Sequence, residues 1–411
     1  MNIAEAVNKE NRVRINAHIF YKMLKSVINS KSIANSLLSD SIGISLDSSS
    51  KNLTIASYDR YGGIKCSTNI SDLLVDEKYG GFNISVPNNI AKLLLKRIEA
   101  YLEEELDNVS NNYLDIEFEE NHMNIHIGAS KQTIPFEFNN IVANFTEVYE
   151  GKEYLELPVN INFYNKLIKI ITKGADENDI FLSKSILLYI DKDKNVHLAG
   201  GNRGFLCHVS YKYEDIPDDI TYALIPNNLQ LDKDETHKVY YSDSNITKLV
   251  TIDESLNILT EQYYLNLENS NTTVKTIIEF LESVGDKTPL AKVSSKAGPI
   301  IKYLSEINLD RFNVFNLELD QNENKITFTY NSMDGSYHIK ESISAMIEHV
   351  DNFSVSENII NNIHLFYKNF KTEYIQLYKS INRPNVYIIE AYNPEDGLSY
   401  TGYFVKLASF N

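Results

Sequence analysis

Apolar positions along the chain switch between two periods, and the switch recurs. Over Val159–Lys173, Phe163, Leu167, Ile168, Ile170 and Ile171 share one face at helical spacing, while Lys166, Lys169 and Lys173 occupy the remainder. Beyond Leu187 the period drops to two. Leu188 and Ile190 alternate with other residues, Asp191–Asn195 supplies turn chemistry, and Val196 and Leu198 lead a return strand. The pattern predicts a helix followed by a β-hairpin. Neither can bury its apolar face alone, so copies to pack against are expected.

The copies are present. Strand–turn–strand patterns begin at Gly43, Leu114, Leu187, Lys238, Asn316 and Tyr374. Five of them follow a helical pattern, over Ile15–Lys31, Pro87–Glu99, Val159–Lys173, Lys292–Glu306 and Ser354–Lys371. Pro299 is expected to open the fourth helix and leave Lys296 ahead of it. Paired repeats predict an α+β protein of three similar domains, at 1–152, 153–286 and 287–411. The middle domain departs from the pattern. Between Pro226 and Val239 stands only NNLQLDKDETHK, so its second helix is expected to be lost or shortened. Leu256–Asn269 and Thr272–Leu281 receive no assignment from the pattern.

Charge changes the picture. The 411 residues carry a net charge of −17, from 39 Lys/Arg against 56 Asp/Glu. An acidic chain ordinarily avoids nucleic acid unless its cations are segregated. Here they are. The five helical segments hold 14 Lys/Arg and 3 Asp/Glu, against the bias of the whole. Lysine is a good helix former, but so is glutamate, and helix propensity alone predicts both. The segregation points to a polyanion held through its phosphates and not through its base edges.

With that charge pattern, the segments HIFYKMLKSVINSK, SYDRYGG, ISVPNNIAKLLLKRI and IHIGASKQTIPF in the first domain resemble the bacterial DNA sliding clamp, the β subunit of DNA polymerase III. LAGGNRGFL in the second domain and VSENIINNI and YFVKLASF in the third extend the likeness over nearly the whole chain. A divergent phage- or plasmid-encoded member fits the departures noted below. The resemblance implies a head-to-tail homodimeric ring of six domains, with helices lining a hole through which duplex DNA passes. It makes the chain a processivity factor that tethers a DNA polymerase and is placed by a clamp loader, both through linear motifs. The DNA-facing residues would be Lys22, Lys25, Lys92, Lys96, Arg97, Lys166, Lys169, Lys173, Lys302, Lys368 and Lys371. The family's partner-peptide pocket would draw on Leu182, Ala199, Gly201, Asn202, Arg203, Gly204 and Phe280, with Ser354, Glu357, Leu407, Ala408 and Phe410. AGGNRG replaces the family's Thr-Asp-Gly-His-Arg, and KLASF with Asn411 replaces its Met-Pro-Met-Arg-Leu ending, so an altered pocket preference is expected. Ile134 and Ile307 fall where the family closes its dimer interface.

Other classes find little support. AGGNRG lacks the Gly-Lys-Ser/Thr of a P-loop, and FLCHV continues it as strand, not as a Rossmann helix. No His-Glu-x-x-His is present, and the acidic run Glu103–Glu105 with Asp107 reads as a solvated face. Cys66 and Cys207 are the only cysteines, which argues against a disulfide framework and a zinc site. No enzyme activity, metal or cofactor is expected. With no secretory h-region and no long apolar run, a cytoplasmic protein without membrane contact is expected. The remaining alternative is a clamp-fold scaffold or decoy that does not encircle DNA.

Overall fold

All six expected hairpins form, and each continues into a third antiparallel strand. The computed structural model describes residues 12–30, 39–47, 49–70, 81–104, 112–119, 121–128, 130–171, 185–202, 204–213, 216, 221–226, 229, 235–242, 246–265, 270–307, 314–332, 335–370, 372–395 and 397–407. The chain runs through six repeats of strand, helix and three-strand meander, of which the fourth shows no helix among the described residues.

The first repeat is β1 (Arg12–Asn16), α1 (Ala17–Asn29), β2 (Ser41–Asp47), β3 (Asn52–Asp59) and β4 (Gly62–Asn69). The second is β5 (Phe82–Pro87), α2 (Asn88–Glu104), β6 (Tyr113–Phe118), β7 (His122–Ile127) and β8 (Ser130–Pro135). A short β9 (Glu137–Phe138) and α3 (Ile141–Tyr149) follow. The third repeat is β10 (Leu155–Glu156), α4 (Ile161–Ile171), β11 (Ser185–Ile190), β12 (Asn195–Asn202) and β13 (Phe205–Lys212). The fourth is β14 (Tyr222–Pro226), β15 (Thr236–Ser242), β16 (Ile246–Asp253) and β17 (Ile258–Leu265), followed by α5 (Ser270–Ser283). The fifth is β18 (Lys287–Ser294), α6 (Gly298–Ser305), β19 (Val314–Asp320), β20 (Lys325–Asn331) and β21 (His338–Ile347). The sixth is β22 (Asn352–Ser356), α7 (Glu357–Asn369), β23 (Tyr374–Ser380), β24 (Val386–Asn393) and β25 (Leu398–Val405). Residues 227, 228 and 230–234, where the middle domain's second helix is expected to be lost or shortened, lie outside the described residues.

One helix starts later than its periodicity predicts. Lys292 and Val293 belong to β18, and Pro299 stands in the first turn of α6. Lys296 sits ahead of that helix in a 3₁₀ turn over Ser295–Ala297, as expected. Proline cannot donate to an interior helical bond, which places it at the N-terminus.

Paired repeats exchange their first strands. β1 joins β6 while β5 joins β2; β10 joins β15 while β14 joins β11; β18 joins β23 while β22 joins β19. Several turns between strands are built alike. Asp47, Asp191, Asp253 and Asp320 each accept backbone N–H groups two to four residues on. A residue with positive φ then closes the turn: Lys51, Lys194, Asn257 or Asn324. The aspartate satisfies amides that the tight turn leaves unpaired.

The chain forms two compact units. One comprises Met1–Leu157 with Gln230–Asn266, the other Pro158–Leu229 with Leu267–Asn411. The first contains a four-stranded sheet, β1-β6-β7-β8, and a nine-stranded sheet, β10-β15-β16-β17-β4-β3-β2-β5-β9. The second contains a twelve-stranded sheet, β14-β11-β12-β13-β25-β24-β23-β18-β21-β20-β19-β22. In the first, Phe20, Leu24 and Val27 of α1 and Leu94 and Ile98 of α2 face a common apolar core. In the second, α6 packs on α7 and α4 on α7. There α5 buries Val274 and Ile277 against Leu187, Tyr189 and Leu224.

Each unit has one seam where the last strands of two repeats meet. In the first unit β4 pairs β17, and the seam holds charge. Lys65 bridges Glu150 and Glu261, the latter at 2.8 Å, and Lys248 reaches Glu261 at 2.5 Å. Lys248 also lies over the rings of Tyr154 and Tyr263, at 5.5 and 5.4 Å. In the second unit β13 pairs β25, and the seam is aromatic: Phe205 opposes Phe404, Leu206 opposes Tyr403 and Val209 opposes Tyr400. Gly402 leaves the space that the Phe205 ring fills, because a Cβ there would stand 2.6 Å from Phe205 Cζ.

Candidate functional site

The predicted DNA-facing cations divide by what surrounds them. On α1, the Asn16 side chain accepts the N–H groups of His18 and Ile19 and starts the helix, and the apolar face turns inward. Lys22 is consumed within the unit, at 2.8 Å from Glu235 and 2.6 Å from Asp253. Burial works against its charge, but those two bonds outweigh it and raise its pKa. Lys25 donates to the Tyr21 hydroxyl at 2.9 Å and lies 3.8 Å from Glu99. Arg97 of α2 donates to Gln132 at 3.0 Å and to Ser130. Lys302 of α6 lies 3.7 Å from Glu306, and Lys166 of α4 lies 5.6 Å from the centre of the Tyr400 ring.

Lys92 and Lys96 on α2, Lys169 on α4 and Lys368 on α7 differ. All four are exposed, and none has an acidic partner among the described residues. Lys173 and Lys371 lie outside the described residues. The helices as formed also carry more acid than their predicted spans, since α2 runs on through Glu103 and Glu104. The uncompensated positive charge is therefore narrower than the sequence implies.

The predicted pocket residues come together in part. Ala199 and Gly201 are buried in β12, with Asn202 at its end. Ser354 in β22 receives the Leu407 N–H at 2.9 Å and donates its hydroxyl to Asn316 at 2.6 Å, and Glu357 begins α7. Leu182, Arg203, Ala408 and Phe410 lie outside the described residues. Gly204 and Phe280 do meet, lining a cavity of about 290 Å³ in the second unit. Its apolar walls come from Phe205, Leu206, Ile277, Tyr403, Phe404 and Val405, and its polar rim from Thr276, Glu279 and Arg383. Gly204 turns at φ +88°, which lets β12 reverse into β13 at the cavity mouth. Sequence reading missed Arg383 and Tyr403, which reach the cavity only through the β23–β24 turn and the β13–β25 pairing.

Ile134 is fully buried in the first unit's core and Ile307 is buried after α6. Strand β8 ends its sheet, so among the described residues its outer edge meets no other strand. Beside α5, the Asp191 carboxylate lies 2.9 Å from His197 Nε2, and His197 Nδ1 lies 2.9 Å from His208 Nε2. Tyr189 stacks on His197 with centroids 4.3 Å apart. Burial, reinforced by His197, pushes the His208 pKa down to about 3. Burial opposes ionisation of Asp191, but hydrogen bonds from Asn195 and His197 overcome it and lower its pKa to about 2. Among the described residues no group of three or more His, Cys, Asp or Glu is placed to hold a metal ion. Burial raises the Cys66 thiol to about 12 and pushes the Cys207 thiol up as well, the opposite of what a thiolate ligand or nucleophile requires. Among the described residues no helix is long and apolar enough to cross a membrane.

The arrangement of these repeats is that of the bacterial sliding clamps. The DNA polymerase III subunit beta of Pseudomonas aeruginosa superposes with a TM-score of 0.69 at 13% identity, covering 97% of this chain and 100% of that one. The DNA polymerase sliding clamp of Bacillus subtilis gives 0.68 at 14%, and the DNA polymerase beta subunit of Streptococcus pyogenes 0.66 at 14%, both with the same coverage. No family model and no curated protein matches the sequence. At such identities the likeness establishes the fold: this is a chain with the DNA sliding-clamp fold over nearly its whole length.

Proposed function

We propose that the chain is a DNA sliding clamp, a non-catalytic processivity factor that encircles duplex DNA and tethers a polymerase. The observation that carries this is the set of exposed, unneutralised lysines on repeated helices, Lys92, Lys96, Lys169 and Lys368, in a clamp fold whose net charge is −17. Scattered cations on an acidic body bind phosphates weakly and without sequence preference, which suits a protein that slides. Three domains, at 1–152, 153–286 and 287–411, would join head to tail with a second copy, and the open edge of β8 supports an edge-to-edge joint. Ile134 and Ile307 would then support that joint from within and not plug it. The cavity beside Phe280 would receive the linear motifs of the polymerase and the loader.

The test is retention on DNA after a cognate loader has acted. Circular DNA should keep the protein, and linearisation should release it. Equal retention on both forms rejects encirclement. Reversal of Lys166, Lys169 and Lys173 to Glu should lower loading while leaving the fold intact.

A second reading has its own support. Lys22, Lys25 and Lys302 are engaged by carboxylates of the same chain, which suits a clamp-fold scaffold that does not encircle DNA. Native mass separates the two: a ring weighs twice the 47.0 kDa of the chain, a monomeric scaffold does not.

A further inference from the structure

At the rim of the cavity in the second unit, Arg383 is held in place and left without a counter-ion. It sits in the β23–β24 turn, which is pinned at several points. The Arg383 N–H donates to Ser380 Oγ at 3.0 Å, and that hydroxyl donates to the Val284 carbonyl at 2.8 Å. The Ile381 N–H reaches the Asp286 carbonyl at 2.9 Å, and the Val386 N–H reaches the Arg383 carbonyl at 2.8 Å. The guanidinium lies 5.1 Å from the centre of the Phe280 ring. Phe280 in turn meets Tyr403 edge-on, with centroids 5.6 Å apart. The arginine is exposed, and no carboxylate pairs with it among the described residues, although Glu279 lines the same cavity. A planar cation lying over an aromatic lip and open to solvent is suited to a bidentate acceptor.

We propose that Arg383 is a specificity-determining residue of this cavity. It selects linear peptides whose apolar anchors enter beside Phe280 and which carry an Asp or Glu side chain next to those anchors. The proposal rests on the cavity being a peptide site and adds which peptides it takes. Charge complementarity commits the occupant to an acidic segment. The apolar walls supply burial, while the unpaired guanidinium supplies discrimination, since it is already ordered and loses little freedom on pairing. Glu279 sets the direction of reading, because a carboxylate placed toward it is repelled.

The experiment uses the full chain and fluorescent decapeptides with blocked ends, containing Leu-Xaa-Phe with Xaa as Asp, Asn or Lys. Fluorescence anisotropy should show the Asp peptide binding about 5-fold more tightly than the Asn peptide, the scale of one exposed, well-oriented ion pair. Arg383→Gln should abolish that difference, so that the Asp and Asn peptides bind alike, and Arg383→Glu should reverse the preference toward Lys. The exposed turn keeps its backbone bonds in both variants, which an unchanged Tm confirms. Peptides that bind wild type without regard to Xaa overturn the role of Arg383 and leave the peptide site standing. No binding of any peptide overturns both. Discrimination that appears only when the peptide carries a free C-terminal carboxylate also overturns the proposal, because the acceptor is then the chain end.

Discussion

The two seams, β4–β17 and β13–β25, do the same topological job with opposite chemistry. The first places Lys65, Glu261, Glu150 and Lys248 together beside Tyr154 and Tyr263; the second sets Phe205, Phe404, Tyr403 and Tyr400 along one strand pair, with the Phe205 ring against Gly402. A largely buried ionic cluster adds little net stability, because desolvation offsets most of the attraction, but it punishes any slip that strands a charge. An aromatic seam gains more from burial and tolerates sliding better, so it depends on shape, here the space left by Gly402. Fidelity of register in one unit is thus electrostatic, and in the other steric.

The largest effect should come from unpairing the ionic seam. Glu261→Ala leaves Lys65 and Lys248 facing each other with one carboxylate, and chemical denaturation should show a loss of about 3–5 kcal/mol. Replacing the cluster as a whole by Met residues should recover most of that loss; if it does not, the charges contribute net attraction and not register. Next in size, Gly402→Ala pushes a methyl into Phe205 and should cost about 1–3 kcal/mol in the same assay.

Acid should separate the seams by pH. His208, in β13, resists protonation when folded, so both states are neutral above its unfolded value near 6.5 and stability is unaffected there. Below that value only the unfolded chain takes the proton. Stability should then fall by up to about 1.4 kcal/mol per pH unit until the folded value near 3 is reached. Glu261 behaves differently. Burial disfavours its charge, but Lys248 and Lys65 more than compensate and lower its pKa. Its contribution is therefore intact above the ordinary carboxylate value and is lost only as pH falls through the lowered one. Thermal melts between pH 7 and 5 should show a slope that His208→Gln flattens and Glu261→Gln leaves unaltered.

The smallest effect concerns DNA. Lys96→Gln, on an open helix face, should leave stability within about 0.5 kcal/mol and reduce the salt dependence of DNA binding by about one unit of log–log slope. Lys22→Gln should reduce it far less, since Glu235 and Asp253 already hold that cation.

What could be read from the sequence follows from the range of the interactions. Hairpins were legible because alternation and an aspartate-led turn are local, as at Asp47 and Asp320. The third strands were less so: Phe205–Lys212 was taken as a continuation and acquires its role only by pairing with β25. For α6 the periodicity alone ran several residues too early, because Lys292 and Val293 fit the apolar spacing while strand pairing with β21 and β23 claims them; Pro299 marked the true start. The short α3 has no side-chain cap bond at Asn140 and no basic stripe, and is held by Phe145 and Tyr149 against Tyr263 of a distant strand. The cations themselves were plain in the sequence, but their neutralisation was not. Glu235 and Asp253 reach Lys22 only because residues 230–266 return to the first unit. In the cavity, resemblance located Gly204 and Phe280 and could not supply Arg383, which lies on a turn that no motif marks.

That return of 230–266 has a consequence for synthesis of the chain. When the ribosome has released β4, the strand that will sit beside it does not yet exist: Cys66 must wait for Thr260. During that interval the nascent amino-terminal portion presents an unsheltered ladder of N–H and C=O groups, the kind of template on which neighbouring polypeptides aggregate. A lysine and two glycines at that border, Lys65, Gly62 and Gly63, make it a poor template for self-association until its proper neighbour arrives.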